Sequence, residues 1–322
     1  MKTKIVYTLI SSDKDFFTEQ TLISMYSLKM HNPDAHIALL IDNATFASFI
    51  GKRERIKEYV NEFIIVKVPE EFNAKERSRF IKTSIRQNIS GDYLYIDNDT
   101  IIRDSLSEID DFQFDLGAVL DYHAKLDERK PHMKSNIELY LKKTKKEFWG
   151  SNYYFNSGVM YVKDKEITHK FYEAWHKMWN IDRIHYNLYM DQAVLAQINV
   201  KMCNVITELS GIYNCQFLIP TSAPYFLKPK IIHYLCTAAR AFILNSDSVL
   251  KEVKEKGITE KIKYIIKNPQ ETLLENSHII SEADFNLMMS PMGLLGRKLS
   301  RDYKWSNRVA RFIYRLFGLK LD

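Results

Sequence analysis

Four short apolar runs punctuate the first third of the chain, at residues 4–10 (KIVYTLI), 36–41 (HIALLI), 63–68 (FIIVKV) and 93–97 (YLYID). The stretches between them place apolar residues at helical spacing, as at Leu22, Met25, Tyr26 and Leu28. Strands alternating with helices predict a parallel sheet covered on both faces, because each parallel crossover lays a helix against the sheet. Two more strands are predicted at 116–120 (LGAVL) and 155–162 (FNSGVMYV). The polar interval at 122–150 between them reads as loops and a helix over the sheet, and its KKTKK run is as readily a solvated face as a functional one. Helices are expected at 166–179 and 187–198, and a final core strand near 230–235 (KIIHYL). Residues 247–290 read as helical and polar, and Ser290-Pro291 breaks off an appendage at 291–322. No internal repeat or low-complexity segment is visible.

Composition narrows the class. With 322 residues, 46% of them hydrophobic and 27% charged, the chain can bury a core of one large domain with appendages. Cys203, Cys215 and Cys236 are too few and too irregularly spaced for a disulfide framework, which fits a reducing compartment. The N-terminus lacks a small-residue cleavage site and is read as a strand, and no run of 18 apolar residues is present to span a bilayer. The expectation is a soluble or peripheral protein. The net charge of +6 is localised: residues 291–322 hold eight of the 46 Lys/Arg and two of the 40 Asp/Glu, so the remainder balances at 38 of each. A broadly basic nucleic-acid surface is thereby excluded, in favour of one local anionic partner. G-x-G-x-x-G and G-x-x-x-x-G-K-[ST] are both lacking, so dinucleotide oxidoreductase and P-loop readings have no support.

The chemistry concentrates at Tyr93-Leu-Tyr-Ile-Asp97-Asn98-Asp99-Thr100. An apolar strand running into carboxylates at i and i+2 puts both at a strand end, where open α/β sheets bind ligands. Both can face one hard cation, and Mg²⁺ or Mn²⁺ takes oxygen ligands and bridges to a diphosphate. A turn whose Asp and Asn cap the next element is the plainer reading.

Together with three downstream motifs, this segment resembles the family-eight retaining glycosyltransferases, which include glycogenin and bacterial lipooligosaccharide galactosyltransferases. The family's Asp-x-Asp is matched by Asp97 and Asp99, its Phe-Asn-(Ala/Ser)-Gly-Val strand by Phe155-Asn156-Ser157-Gly158-Val159, its Asp-Gln helix start by Asp191-Gln192, and its Ile-Ile-His-Tyr segment by Ile231-Ile232-His233-Tyr234. All four occur in the family's order, over roughly residues 4–240. The resemblance implies that Asp97, Asp99 and His233 hold Mn²⁺ or Mg²⁺, although a lone His beside an apolar run is more often a core residue. It implies that Asn156, Asp191, Gln192 and Asp121 surround the donor sugar. Asp191 and Gln192 would serve equally as a helix cap.

The resemblance also places Thr8 and Ser12 where the family contacts the nucleotide base, and further candidate contacts to the donor nucleotide are Asn98, Arg79 and Lys82. The last two lie one helical turn apart and could both reach a diphosphate, or simply form a solvated face. One departure stands out: after His233 the family has a Gly and then a Lys before Pro-Trp, whereas this chain reads Tyr-Leu-Cys-Thr-Ala-Ala-Arg240, leaving Arg240 as the substitute cation.

In the tail, Val309, Phe312, Ile313, Leu316 and Phe317 form an apolar stripe beside Arg301, Lys304, Arg308, Arg311 and Arg315, with Tyr303 and Trp305 as interfacial aromatics. A basic amphipathic helix over 297–318 suits an anionic membrane surface, or alternatively docks on the catalytic domain.

The expected fold is α/β, a nucleotide-diphospho-sugar transferase (GT-A type) domain with a mostly parallel sheet covered by helices and a C-terminal helical appendage. The divisions are 1–245 (catalytic), 246–290 (helical extension) and 291–322 (membrane-associating helix). The implied function is metal-dependent retaining transfer of a hexose from a UDP-sugar to a saccharide or lipid-linked saccharide in lipopolysaccharide or capsule synthesis. It would take place on the inner face of the plasma membrane and involve no nucleic acid. The alternatives are an inverting glycosyltransferase or nucleotidyltransferase on a similar sheet, or a non-catalytic membrane-bound scaffold.

Overall fold

A computed structural model describes residues 1–216, 220–234, 243–269, 282–293 and 312. Residues Met1–Asn276 and Ser277–Asp322 form two compact units, and everything below concerns the first.

Its strands are β1 (Lys4–Leu9), β2 (Ile37–Ile41), β3 (Glu62–Ile65), β4 (Tyr93–Ile96), β5 (Thr100–Ile102), β6 (Leu116–Leu120), β7 (Phe155–Val162), β8 (Thr207–Glu208), β9 (Cys215–Gln216) and β10 (Ile231–His233). Seven of them form one sheet in the order β3-β2-β1-β4-β7-β6-β8, parallel throughout except for β7, which is antiparallel to both β4 and β6. Hydrophobic patterning carries no strand direction, so this reversal is not visible in the sequence. The chain leaves β6, makes a long excursion through 121–154 and returns alongside it, with a register shift between Ala118 and Leu120.

Neighbouring residues of one strand serve two cores. Ile5, Tyr7, Leu9, Leu94 and Ile96 pack on one face, with the Phe17–His31 helix and the Asp247–Lys256 and Glu260–Lys267 helices. Val6, Leu40, Tyr93 and Tyr95 pack on the other, with the helices Ala74–Thr83, Glu166–Tyr186 and Asp191–Lys201. Burial on both faces is why these strands read as continuous apolar runs.

The strand expected near 230–235 is buried, but it lies outside the main sheet. β10 pairs antiparallel with β5 and parallel with β9 in a separate three-stranded sheet. The helix expected at 166–179 continues to Tyr186 and stops where Asn187 adopts a left-handed conformation (φ 51°). The one expected at 187–198 begins at Asp191. Among the described residues no helix is long and apolar enough to cross a membrane. The tail helix expected over 297–318 lies outside the described residues apart from Phe312, and Arg240 lies outside them as well.

Candidate active site

β1 leads to β2 and β3 on one side and pairs with β4 on the other, so the strand order reverses between β1 and β4. At such a reversal the connections diverge and leave a crevice beyond the strand ends. A cleft of about 710 Å³ occupies that position, lined by Thr8 from β1, Asp97, Asn98 and Asp99 after β4, Arg79 and Lys82, Asn156 from β7, Asp191, Gln192 and His233.

Asp97, Asn98 and Asp99 are the residues between β4 and β5, at the turn by which the chain passes from one sheet to the other. The Asp97 amide still donates to the Gly158 carbonyl at 2.7 Å, extending the β4–β7 ladder by one bond before the turn. Across the small sheet, Thr100 faces His233 in register. As a result one ligand atom from each of Asp97, Asp99 and His233 lies within 4.8 Å of the others. Two carboxylates and an imidazole suit a divalent cation of the Mg²⁺ or Mn²⁺ kind. The packing also fits: a Cβ on Gly158 would come within 2.4 Å of His233 Cε1 and 2.8 Å of Asp97 Oδ2, so only glycine allows this close approach.

His233 is buried, with Nε2 3.1 Å from Asp99 Oδ1 and Nδ1 2.9 Å from Asn214 Oδ1. Burial by itself would lower its pKa, but the Asp99 charge and hydrogen bond, with Asp97 behind them, raise it above the ordinary histidine value.

The helix Ala74–Thr83 is fixed at its start by a capping box, in which Asn73 accepts from the amides of Lys75 and Glu76 while Glu76 accepts from the Asn73 amide. This places Arg79 and Lys82 in the cleft, both paired with carboxylates. Arg79 lies 3.0 Å from Asp191; Lys82 Nζ is 3.1 Å from both Asp97 oxygens and 3.6 Å from Asp191. Burial would raise the Asp191 carboxyl, but Arg79 and Lys82, with the Ser157 hydroxyl, bring it down to about 2. Asp191 is the first residue of its helix, and the cap position before it is Met190, which makes no side-chain cap bond.

Asn156 is the hub of a second cluster in the cleft. Its Nδ2 donates to Asp121 Oδ1 at 3.0 Å and approaches Gln192 Oε1 at 3.4 Å. Asp121 stands behind Asn156 rather than on the cleft wall, held by Arg129 through a 3.1 Å ion pair. Asn98 Nδ2 donates to the Thr8 carbonyl, and its Oδ1 is buried with no hydrogen-bond partner among the described residues. Ser12 does not line the cleft; it is exposed and bonds Asp15.

Two buried groups at this site were not predicted. Asn214 gives no motif of its own, and Arg129 lies in the interval read only as loops and a helix over the sheet. A polar residue just before the buried pair Cys215-Gln216 was the available signal for Asn214.

A mostly parallel sheet with one reversed strand, and a carboxylate-rich cleft at the point where strand order changes, have the architecture of a GT-A type domain. The profile of Glycosyl transferase family 8 matches residues 7–239, and the chain belongs to that family. Similar solved structures include the apo form of the bifunctional glycosyltransferase WbbM, at 17% identity over 82% of this chain and 51% of that one, with a TM-score of 0.54. This chain therefore spans about half the length of the WbbM structure. An active-site mutant of LgtC (17% identity, 81% and 99% covered, TM-score 0.51) and the glycosyltransferase GlyE of Streptococcus pneumoniae (15%, 88% and 66%, TM-score 0.51) are also similar. At these identities the likeness concerns the fold. No curated protein matches the chain.

Proposed function

We propose that this glycosyltransferase moves a hexose from a UDP-sugar to a saccharide acceptor, with retention of configuration and dependence on Mn²⁺ or Mg²⁺. The observation that carries the reading is the convergence of Asp97, Asp99 and His233 in the cleft that Asn156, Asp191 and Gln192 also line. Those three ligands would hold the cation, which when bound neutralises charge on the departing diphosphate. Asn98 lines the cleft beside Thr8 and would face the nucleotide. Asn156 and Gln192 orient the sugar, and Asp121 with Arg129 fixes Asn156 from behind. Retention needs a carboxylate nucleophile or attack on the face the diphosphate leaves. Asp121 and Asp191 are both engaged by cations, which favours same-face attack.

The test is a panel of nucleotide sugars assayed with and without chelator, followed by proton NMR of the first product. Metal-dependent turnover of a UDP-hexose to a product of unchanged anomeric configuration is expected. Asp99→Asn should reduce turnover by about 10²-fold or more, since metal stabilisation of the leaving group contributes several kcal/mol. Full turnover in chelator, or an inverted product, refutes the reading.

We also propose that residues 1–245 form the catalytic domain, 246–290 a helical extension, and 291–322 a basic helix that holds the enzyme on the inner face of the plasma membrane, beside a lipid-linked acceptor of cell-surface glycan synthesis. The clustering of net charge in the tail supports this. Removal of residues 291–322 should preserve donor hydrolysis and abolish binding to anionic vesicles, and added salt should weaken vesicle binding by the full chain.

A further inference from the structure

We infer that Asn214 is the positioning residue that fixes which nitrogen of His233 faces the cation site, and that it does so through a hydrogen-bond chain whose polarity is set at Gly158 and Asp121. The inference rests on the metal reading for its purpose, but the chain can be tested without metal.

The polarity follows from groups that can act in only one sense. The Gly158 amide is solely a donor and lies 2.9 Å from Asn156 Oδ1, so that atom must be the amide oxygen. The other end of the same amide lies 3.0 Å from Asp121 Oδ1, and the Arg129 guanidinium keeps that carboxylate in place as an acceptor. With both ends of Asn156 assigned, Asn214 Nδ2 must be the group that donates to Asn156 Oδ1 at 3.0 Å. The Asn214 oxygen is thereby turned towards His233 Nδ1 at 2.9 Å, and Nδ1 must carry hydrogen to satisfy it. Flipping Asn214 would set oxygen against oxygen at Asn156. Nε2, on the Asp99 side of the ring, is left as the nitrogen that can give up its proton and offer a lone pair. Asn214 and His233 are both buried, so water does not readily replace either bond. Metal-ligating histidines are commonly oriented in this way through their second nitrogen. The same chain links the ring to Asn156 and Gln192, so the cation side and the sugar side of the cleft share one set of amide orientations.

The experiment uses the full chain labelled with ¹⁵N-histidine, free of metal, at one fixed pH at which the fold is intact. In the natural protein the His233 Nδ1 proton should be visible and should exchange slowly with solvent, because the Asn214 oxygen holds it. Asn214→Leu should remove that protection and weaken Mn²⁺ binding, read by calorimetry, by about 10–100-fold. Asn214→Asp still accepts from Nδ1 but cannot donate to Asn156. It should keep the protected Nδ1 proton and hold Mn²⁺ affinity within a few-fold, while the KM for donor rises. Asn214→Asp also carries the test if Asn214→Leu fails to fold. A bare Nδ1 in the natural protein, or an equally protected Nδ1 proton in Asn214→Leu, overturns the inference; loss of the Nδ1 proton in Asn214→Asp does the same. A natural protein with the Nδ1 proton but no affinity for Mn²⁺ overturns the metal reading and leaves the hydrogen-bond chain standing.

Discussion

Replacing Gly158 by Ala tests whether close packing at β7 shapes the cation site. The added Cβ would lie 2.4 Å from His233 Cε1, and 2.8 Å from both Asn156 Oδ1 and Asp97 Oδ2. Ordinary contact begins near 3.4 Å, so the ring must retreat by about 1 Å, far beyond the ~0.2 Å over which ligand distances are tolerated. None of the three neighbours is a loose chain end: the ring is tied to Asn214, Asn156 to Asp121, and Asp97 to Lys82. Overpacking of this kind costs about 1–3 kcal/mol, from which alanine recovers about 0.5–1 kcal/mol through lower backbone entropy. A net loss of roughly 1–2 kcal/mol in urea unfolding is expected, together with at least about tenfold weaker Mn²⁺ binding. Gly117→Ala is the control. Its Cβ would press on Phe114 and Leu209, away from the cleft, so stability should fall while metal affinity holds. If Gly158→Ala matches the natural protein in stability and metal affinity, the packing argument is wrong.

Arg53 and Glu19 form an ion pair with side chains 4% and 0% exposed, and Arg53 also donates to the carbonyls of Ser12 and Asp15 in the loop after β1. Arg53→Met strands a buried carboxylate and should cost about 3–5 kcal/mol in urea unfolding, whereas Arg53→Met with Glu19→Gln should cost much less. Equal losses in the single and double variants would contradict this. The imidazole of His123 accepts from the Gln216 amide, and burial lowers its pKa to about 4. The unfolded chain takes up a proton at about 6.5 and the folded one does not, so stability is full above that pH and falls as pH drops towards 4. The loss at pH 5 is about 2 kcal/mol, and His123→Gln should flatten the urea midpoint between pH 7 and pH 5.

The parts of the fold written in hydrophobic runs were legible, and the parts fixed by pairing were not. Phe155–Val162 reads as a buried strand in either direction, and only its partners β4 and β6 reveal the reversal. Three residues of β10 cannot announce which sheet they join. At the site, Asp97 and Asp99 were legible because a strand end constrains where carboxylates go. His233 was legible only through its family resemblance, since an imidazole beside Ile231 and Ile232 is otherwise an ordinary core residue. Asn214 acts through Asn156, 58 residues away in sequence, and Arg129 through Asp121, eight residues away across irregular chain, and neither helical nor strand spacing encodes such a pairing.

The two cleft cations illustrate the same limit with functional weight. Spacing at i and i+3 correctly put Arg79 and Lys82 on one face, but that alone suggests side chains reaching freely for phosphate. In the structure their charges are already committed. Asp191 stays ionised to about pH 2 because Arg79 and Lys82 outweigh the cost of burial, and Asp191 raises the Arg79 pKa in return. The pair therefore ties the helix Ala74–Thr83 to the start of the helix Asp191–Lys201, where Gln192 is the second residue. Arg79 thus anchors Asp191, the residue before Gln192, whether or not it touches a phosphate. A substitution there should disturb the proposed sugar contacts of Gln192 as well as the proposed diphosphate contacts.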